Sequence, residues 1–239
     1  IEQTASLVQP LPPQLEGIHA FPAGAQAGTF LHEIMEWAGA DGFDVFARDL
    51  SMPETRAIRS AQLLTFCEQR HYQDHHPVLL SWLEAFLHTP MRVSPTEDAR
   101  ALRFAELPLD QYQIEMEFWL ALAQLDQQRL DAIVSGSEFP DQPRPALVPR
   151  QMEGMLKGFV DLLLEHEGRY YVLDYKSNRL GVNADAYTFT AMRDAVLHHR
   201  YDVQYALYTL ALHRLLSARL GDDYDYETHV GGAIYVFMR

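Results

Sequence analysis

The sequence predicts an α/β fold, a mixed central β-sheet flanked by helices with a further helical flank at the N-terminal side. Three observations carry that expectation. Apolar residues recur at helical spacing over the first third of the chain, alternation with period two takes over in the middle, and helical spacing returns before a closing strand. The 239 residues, 48% of them hydrophobic, suffice for one substantial core.

Residues 1–27, with Pro10, Pro12, Pro13 and Pro22, read as an extended lead-in or linker, and residues 28–239 as a single domain. A helix is expected from Thr29, behind Gly28, with Phe30, Ile34 and Trp37 at helical spacing. Residues 53–70 and 77–88 predict two more helices; Pro77 suits a first turn and Pro90 follows the end. Strands are expected over 101–107 and 111–121, where Ile114, Met116 and Phe118 alternate with Glu115 and Glu117. Residues 123–134 read as a short helix and 135–150, rich in proline, as a loop. A β-hairpin is predicted next, with strands over 155–164 and 169–175 around a turn at 165–168. After a loop to about Asn183 come helical segments over 187–199 and 202–219, an acidic turn at 222–225 and a last strand over 230–238.

Composition narrows the function. The chain has a single cysteine, Cys67, which excludes an internal disulfide and a four-cysteine metal site; in its helix-like run it reads as a small buried hydrophobe. No run approaches the roughly 18 apolar residues of a membrane span, and the N-terminus has no signal-peptide pattern, so a soluble, cytoplasmic protein with no membrane partner is expected. The first residue is Ile1 and the closing strand runs almost to Arg239, so the chain is read as a piece of a longer polypeptide. The formal charge of −14 opposes phosphate binding in sum, yet residues 151–215 hold seven Lys or Arg against eight Asp or Glu. A divalent cation there would leave the region locally positive. Lys157 and Lys176 are the only lysines among 19 basic residues, and both fall in the hairpin region. A chain that otherwise uses arginine and places a lysine at 176 suggests a chemical demand, because lysine is a compact charge whose proton affinity responds to its surroundings.

The chemistry concentrates on that hairpin. Asp161 and Asp174 lie on adjacent strands, directly opposed or one position off register, and would offer hard oxygen ligands suited to Mg²⁺ or Mn²⁺. Lys176 shares a face with Asp174 and could position water and offset phosphate charge, while Tyr175 points away. Solvated strand charges with a lysine pair are the bland alternative. Against it, Asp174 directly follows the apolar Tyr170-Tyr171-Val172-Leu173, where a buried strand would continue with a hydrophobe.

Gly158-x-x-Asp161, Asp174-Tyr175-Lys176-Ser177-Asn178 and Gln204-x-x-x-Tyr208 resemble the PD-(D/E)XK nuclease superfamily, in its RecB-type branch. Gly28-Thr29-Phe30-Leu31-His32, Arg200-Tyr201-Asp202 and Gly231-Gly232-x-Ile234-Tyr235 extend the resemblance over nearly the whole chain, strongest from residue 154 onward and weak over 40–150. It implies a restriction-endonuclease-like core and an Mg²⁺-dependent deoxyribonuclease of the exodeoxyribonuclease V type, with exonuclease and endonuclease behaviour. His32, Asp161, Asp174 and the main-chain carbonyl of Tyr175 would be metal ligands, Lys176 the catalytic lysine, and Gln204 and Tyr208 substrate-positioning residues. Implied partners are DNA strands delivered by a helicase in double-strand-break repair, RecC-like and RecD-like subunits, and the RecA recombinase.

Without the resemblance, His32 reads equally as a core or cap histidine, and Gln204 and Tyr208 as packing on an apolar helix. His71, His75 and His76 read as solvated, and Glu33 as a solvated helix carboxylate. Glu117 is a candidate for a metal's outer shell, with Glu115 on the same strand face; Arg179, Arg193 and Arg200 are candidates for DNA phosphate or for surface pairs. The rival function is a nuclease-like docking module for a partner subunit or recombinase.

Overall fold

A computed structural model describes residues 15–93, 99–137 and 139–239. Four helices precede the sheet: α1 (Ala25–Gly39), α2 (Phe43–Ser51), α3 (Pro53–Gln69) and α4 (His76–His88). The sheet comprises β1 (Tyr112–Asp126), β2 (Gln151–His166), β3 (Arg169–Lys176) and β4 (Val230–Phe237), in that spatial order. Helix α5 (Gln127–Ser137) joins β1 toward β2, and α6 (Phe189–His198), α7 (Tyr201–Leu220) and the single turn α8 (Tyr226–His229) join β3 to β4. The first three strands pair antiparallel and β4 runs parallel to β3, which requires the long helical crossover. The sheet is therefore mixed and helix-flanked, as expected.

Apolar alternation divides the molecule into two cores. On one face Leu162, Leu164, Leu173 and Tyr175 pack with buried Phe30, Leu31 and Ile34 of α1 and with α2, α3 and α4. On the other, Met116, Val160, Leu163 and Val172 pack under Leu212 and Leu216 of α7. Each such leucine removed from water contributes on the order of 2 kcal/mol. The alternation breaks between Ile114 and Met116. Ile114 pairs with Leu162 and Met116 with Val160, yet the first pair joins the α1 side and the second the α7 side. Between them Glu115 adopts a left-handed backbone, φ 49°, and the faces exchange there.

Several boundaries differ from the sequence expectation. Residues 1–14 of the lead-in lie outside the described residues, but 15–27 are not a linker: Gly17–Ala20 forms a 3-10 turn, Phe21 is fully buried and α1 already starts at Ala25. Helix α2 was not foreseen. The expected strand over 101–107 is a single bridge between Met91 and Leu102 followed by the 3-10 turn Phe104–Glu106, because Phe104 turns into the core instead of continuing a ladder. Strand β1 runs on to Asp126, and the next helix begins only at Gln127, where Asp126 Oδ1 accepts the Gln128 N–H at 2.9 Å.

Candidate active site

The site is built where β2 and β3 part. Their ladder runs from His166 opposite Arg169 to Leu162 opposite Leu173 and stops there. The next residues on the two strands are Asp161 and Asp174. In place of a strand-to-strand bond, the Tyr175 N–H donates to Asp161 Oδ2 at 2.7 Å. Tyr175 itself packs into the α1-side core, as alternation requires, while Asp174 and Lys176 face α7.

From the α1 side, His32 Nδ1 lies 3.4 Å from Asp161 Oδ2. Helix α1 comes this close because Gly28, one turn before His32, lies against the end of β3. A Cβ at Gly28 would sit 2.4 Å from Ser177 Oγ. From the α7 side, Lys176 Nζ meets Asp174 Oδ2 at 2.5 Å and donates to Gln204 Oε1 at 2.8 Å. The Gln204 amide nitrogen donates to Asp174 Oδ1 at 2.9 Å and to the Tyr208 hydroxyl at 2.7 Å. Gln204 thus turns its carbonyl to the cation and its amide to the anion, and four residues of spacing put Tyr208 on the same helix face. Asp174 and Lys176 are only 5% and 7% exposed, so this network is shielded from water.

The electrostatics are those of crowded acid. Burial, reinforced by the charge of Asp161, pushes the Asp174 carboxyl up to about 6 against the opposing pull of Lys176. Burial alone would lower the His32 pKa, but the Asp161 hydrogen bond and the charges of Asp161 and Asp174 prevail and hold it above the ordinary value. Two further carboxylates, Glu36 and Glu115, are held above theirs by burial and then by nearby charges, Asp161 among them. With His32 and Ser177 they line a cleft of about 300 Å³. Sequence reasoning missed both as site residues. Glu36 carried a signal, standing four residues after His32 on α1 and so on its face. Glu115 carried a weaker one, since its approach depends on the left-handed backbone.

The structure brings His32, Asp161, Asp174, Tyr175, Lys176, Gln204 and Tyr208 together from four elements. Other candidates lie elsewhere. Glu117 is exposed and pairs with Lys157 at 3.0 Å and with the Trp119 indole, not with the site. Glu33 pairs with Arg70, His75 packs edge-on against Phe21, and His76 bonds Ser60. Arg200 is not available to DNA: its side chain is 10% exposed and is held by Asp131 and Asp202. Arg193 pairs with Asp194, while Arg179 is exposed and donates to the Phe21 carbonyl.

Whether these residues suit a divalent cation is decided by their charge and donor type. Four carboxylates, Asp161, Asp174, Glu36 and Glu115, gather with one ammonium and one imidazole, and burial first, then nearby charges that include Asp161, raises the pKa values of Asp174, Glu36 and Glu115. Hard oxygens with one imidazole match Mg²⁺ or Mn²⁺. Among the described residues no three His, Cys, Asp or Glu side chains already converge on one ion position, because Asp174 is turned to Lys176 and Gln204.

Comparison with known proteins decides the family. The residue pattern of the PD-(D/E)XK nuclease superfamily matches residues 10–239. The chain belongs to this superfamily. Curated relatives of this PD-(D/E)XK chain include the RecBCD enzyme subunit RecB of Escherichia coli strain K12, 42% identical over 223 residues, covering 92% of this chain and 17% of that protein. The same subunit of Haemophilus influenzae is 32% identical over 225 residues, covering 91% and 16%, and that of Mycobacterium tuberculosis strain H37Rv is 30% identical over 246 residues, covering 92% and 21%. The chain thus spans about a fifth or less of the length of these relatives. Its mixed, helix-flanked sheet is consistent with that superfamily's fold. Among the described residues no helix is long and apolar enough to cross a membrane.

Proposed function

We propose that the chain is a Mg²⁺-dependent deoxyribonuclease, Mn²⁺ being an alternative of the same hardness, that hydrolyses phosphodiester bonds as an exonuclease and endonuclease of the exodeoxyribonuclease V type. The observation that carries this reading is the joining of Asp161 and His32 on one side of the strand fork to the Asp174, Lys176, Gln204 and Tyr208 network on the other. His32, Asp161, Asp174 and the Tyr175 carbonyl would hold the cation. When bound, it would neutralise crowded carboxylates and act as a Lewis acid toward a phosphate oxygen. Lys176 stands beside Asp174, where its ammonium can orient the attacking water and offset charge developing on the phosphate. Water adds to phosphorus, the ester P–O bond breaks, and the proton of water passes to the departing alkoxide, giving a phosphomonoester and an alcohol. Gln204 fixes Lys176 and Asp174 relative to each other, and Tyr208 holds the Gln204 amide.

Likeness to RecB supports a wider role as a single nuclease domain, which includes the segment from Gly17 that packs on the core, in a cytoplasmic helicase-nuclease complex that repairs double-strand breaks, with RecC-like and RecD-like subunits delivering single strands and RecA loaded on the product. The acidic balance of −14 supports this reading, since another part of such a machine would grip the strand. The test is cleavage of a single-stranded oligonucleotide with Mg²⁺. Asp174→Ala and Lys176→Met should each lower the rate at least a hundredfold; parent-like cleavage by Asp174→Ala sinks the assignment.

A further inference from the structure

We infer that Tyr201 and Tyr235 form an aromatic bracket that positions the Lys176 ammonium for turnover, an inference that rests on the nuclease reading above. Lys176 Nζ lies 3.7 Å from the centre of the Tyr201 ring and 4.8 Å from that of Tyr235. An ammonium has three N–H donors. Asp174 Oδ2 and Gln204 Oε1 take two of them, and the ring faces supply the remaining side of the shell without adding another anion. A third carboxylate here would hold the cation too firmly to share with a phosphate; two quadrupoles hold its position and leave its charge available.

The rings are themselves fixed, and by the elements that make the site. Tyr235 stands opposite Asp174 in the parallel register of β3 and β4, and its hydroxyl donates to the Tyr201 carbonyl at 2.5 Å. Tyr201 is the first residue of α7, three before Gln204, and its hydroxyl lies 3.4 Å from the Asn178 amide nitrogen. His199 stacks on the Tyr201 ring at 5.3 Å with an interplanar angle of 19°. The first turn of α7 therefore delivers two contacts to Lys176, an oxygen from Gln204 and a ring face from Tyr201. Tyr201 and Tyr235 act through Lys176 and are positioning residues, not catalytic ones.

Two measurements test this on the 239-residue chain. Because Lys157 and Lys176 are its only lysines, ¹³Cε-lysine labelling gives two ε-methylene signals, and Lys176→Met assigns them. The Lys176 signal should be displaced upfield by ring currents, keep that displacement in Tyr201→Phe and lose most of it in Tyr201→Leu. In steady-state cleavage of a single-stranded oligonucleotide with Mg²⁺, Tyr201→Leu should lower kcat roughly tenfold or more with KM unchanged. Tyr201→Phe should recover most of the rate, and Tyr201→Leu should have no further effect on the residual rate of Lys176→Met. An unshifted Lys176 signal in the parent, a parent-like kcat in Tyr201→Leu, or the same fold-loss in both Lys176 backgrounds overturns the bracket. A parent chain that shows the shifted signal but no Mg²⁺-dependent cleavage overturns the nuclease reading, and the bracket's role in turnover with it.

Discussion

Asp202 is an anion shared by two guanidiniums inside the protein, and replacing it with alanine should cost about 3–5 kcal/mol of stability. Its side chain is 1% exposed and meets Arg144 Nη1 at 2.8 Å and Arg200 Nε at 3.0 Å, whose side chains are 5% and 10% exposed. In that setting the charge left behind matters more than the contact removed: breaking a buried pair from one side typically destabilises by about 3–5 kcal/mol. Arg200 retains Asp131 at 2.7 Å and the Pro145 carbonyl at 2.7 Å, and Arg144 retains the Phe139 carbonyl. Those contacts place the loss toward the lower end of the range, against a whole-domain stability of about 5–15 kcal/mol. The assay is urea unfolding followed by tryptophan fluorescence, for Asp202→Ala, Arg144→Met and the double variant. Because Arg144 and Asp202 contact each other directly, the double variant should lose less than the sum of the singles by about 1–2 kcal/mol. The cluster pins the residue before α7, Arg200, in a left-handed conformation, φ 57°, and so aims Tyr201 and Gln204 at Lys176. Asp202→Ala should therefore also lower kcat at temperatures where it is still folded. A loss under about 1 kcal/mol, or strict additivity with Arg144→Met, refutes the reasoning.

Gly28→Ala should slow cleavage by pushing α1, and His32 with it, off the end of β3, and Ser177→Ala should restore much of the loss because the added Cβ collides with Ser177 Oγ at 2.4 Å. Gly158→Ala should cost about 1–3 kcal/mol in a denaturant titration, since its Cβ would lie 2.3 Å from the Phe118 ring in the α7-side core; equal stability would show that Phe118 yields without strain. Cys67 is fully buried and burial pushes its thiol up to about 11, so a thiol-specific chromophoric reagent at pH 8 should react only after unfolding. The unfolded thiol ionises near 9.0 and the folded one near 11, so the folded state holds the extra proton and stability falls as pH rises through that window. Cys67→Ala should flatten that fall relative to the parent; an unchanged slope would count against the buried placement.

Much of the fold was legible because its signals are local. The hairpin of β2 and β3 is encoded by two apolar strands and a turn ending in Gly168, φ 77°, and the register that places Asp161 next to Asp174 follows from that turn. Phe104 shows where the signal fails: an apolar residue between two short runs reads as strand, but it is anchored by Phe43 and Phe86, which come from distant helices that sequence spacing cannot locate. Helix α2 was lost for a similar reason. Its nine residues are too few to establish a period, and its buried Phe43, Phe46 and Leu50 are recognisable as one face only when α3 and α4 are in place.

The site divides along the same line. Asp174, Lys176, Gln204 and Tyr208 could be grouped because each pair sits on one strand face or one helix face, and the period alone relates them. His32 could not be assigned from spacing, since its partner Asp161 is 129 positions away and the contact depends on the missing Cβ at Gly28. Glu115 and Glu117 present the sharpest contrast. Two residues apart on β1, they share a strand face and both are exposed, yet Glu117 drew attention while Glu115 is the one that lines the cleft beside His32 and Glu36. What separates them is the backbone at Glu115, which turns left-handed where the sheet exchanges faces and leaves that carboxylate in the cleft with Glu36 and His32, whereas Glu117 pairs with Lys157. A non-glycine residue held at φ 49° beside crowded carboxylates is strain that the surrounding packing must sustain. It is maintained by the α1-side core closing over Ile114 and Leu162 on one side of the switch and the α7-side core over Met116 and Val160 on the other. The two cores therefore do more than stabilise the sheet: by claiming opposite faces of the same strands, they force the discontinuity at which the acidic groups collect.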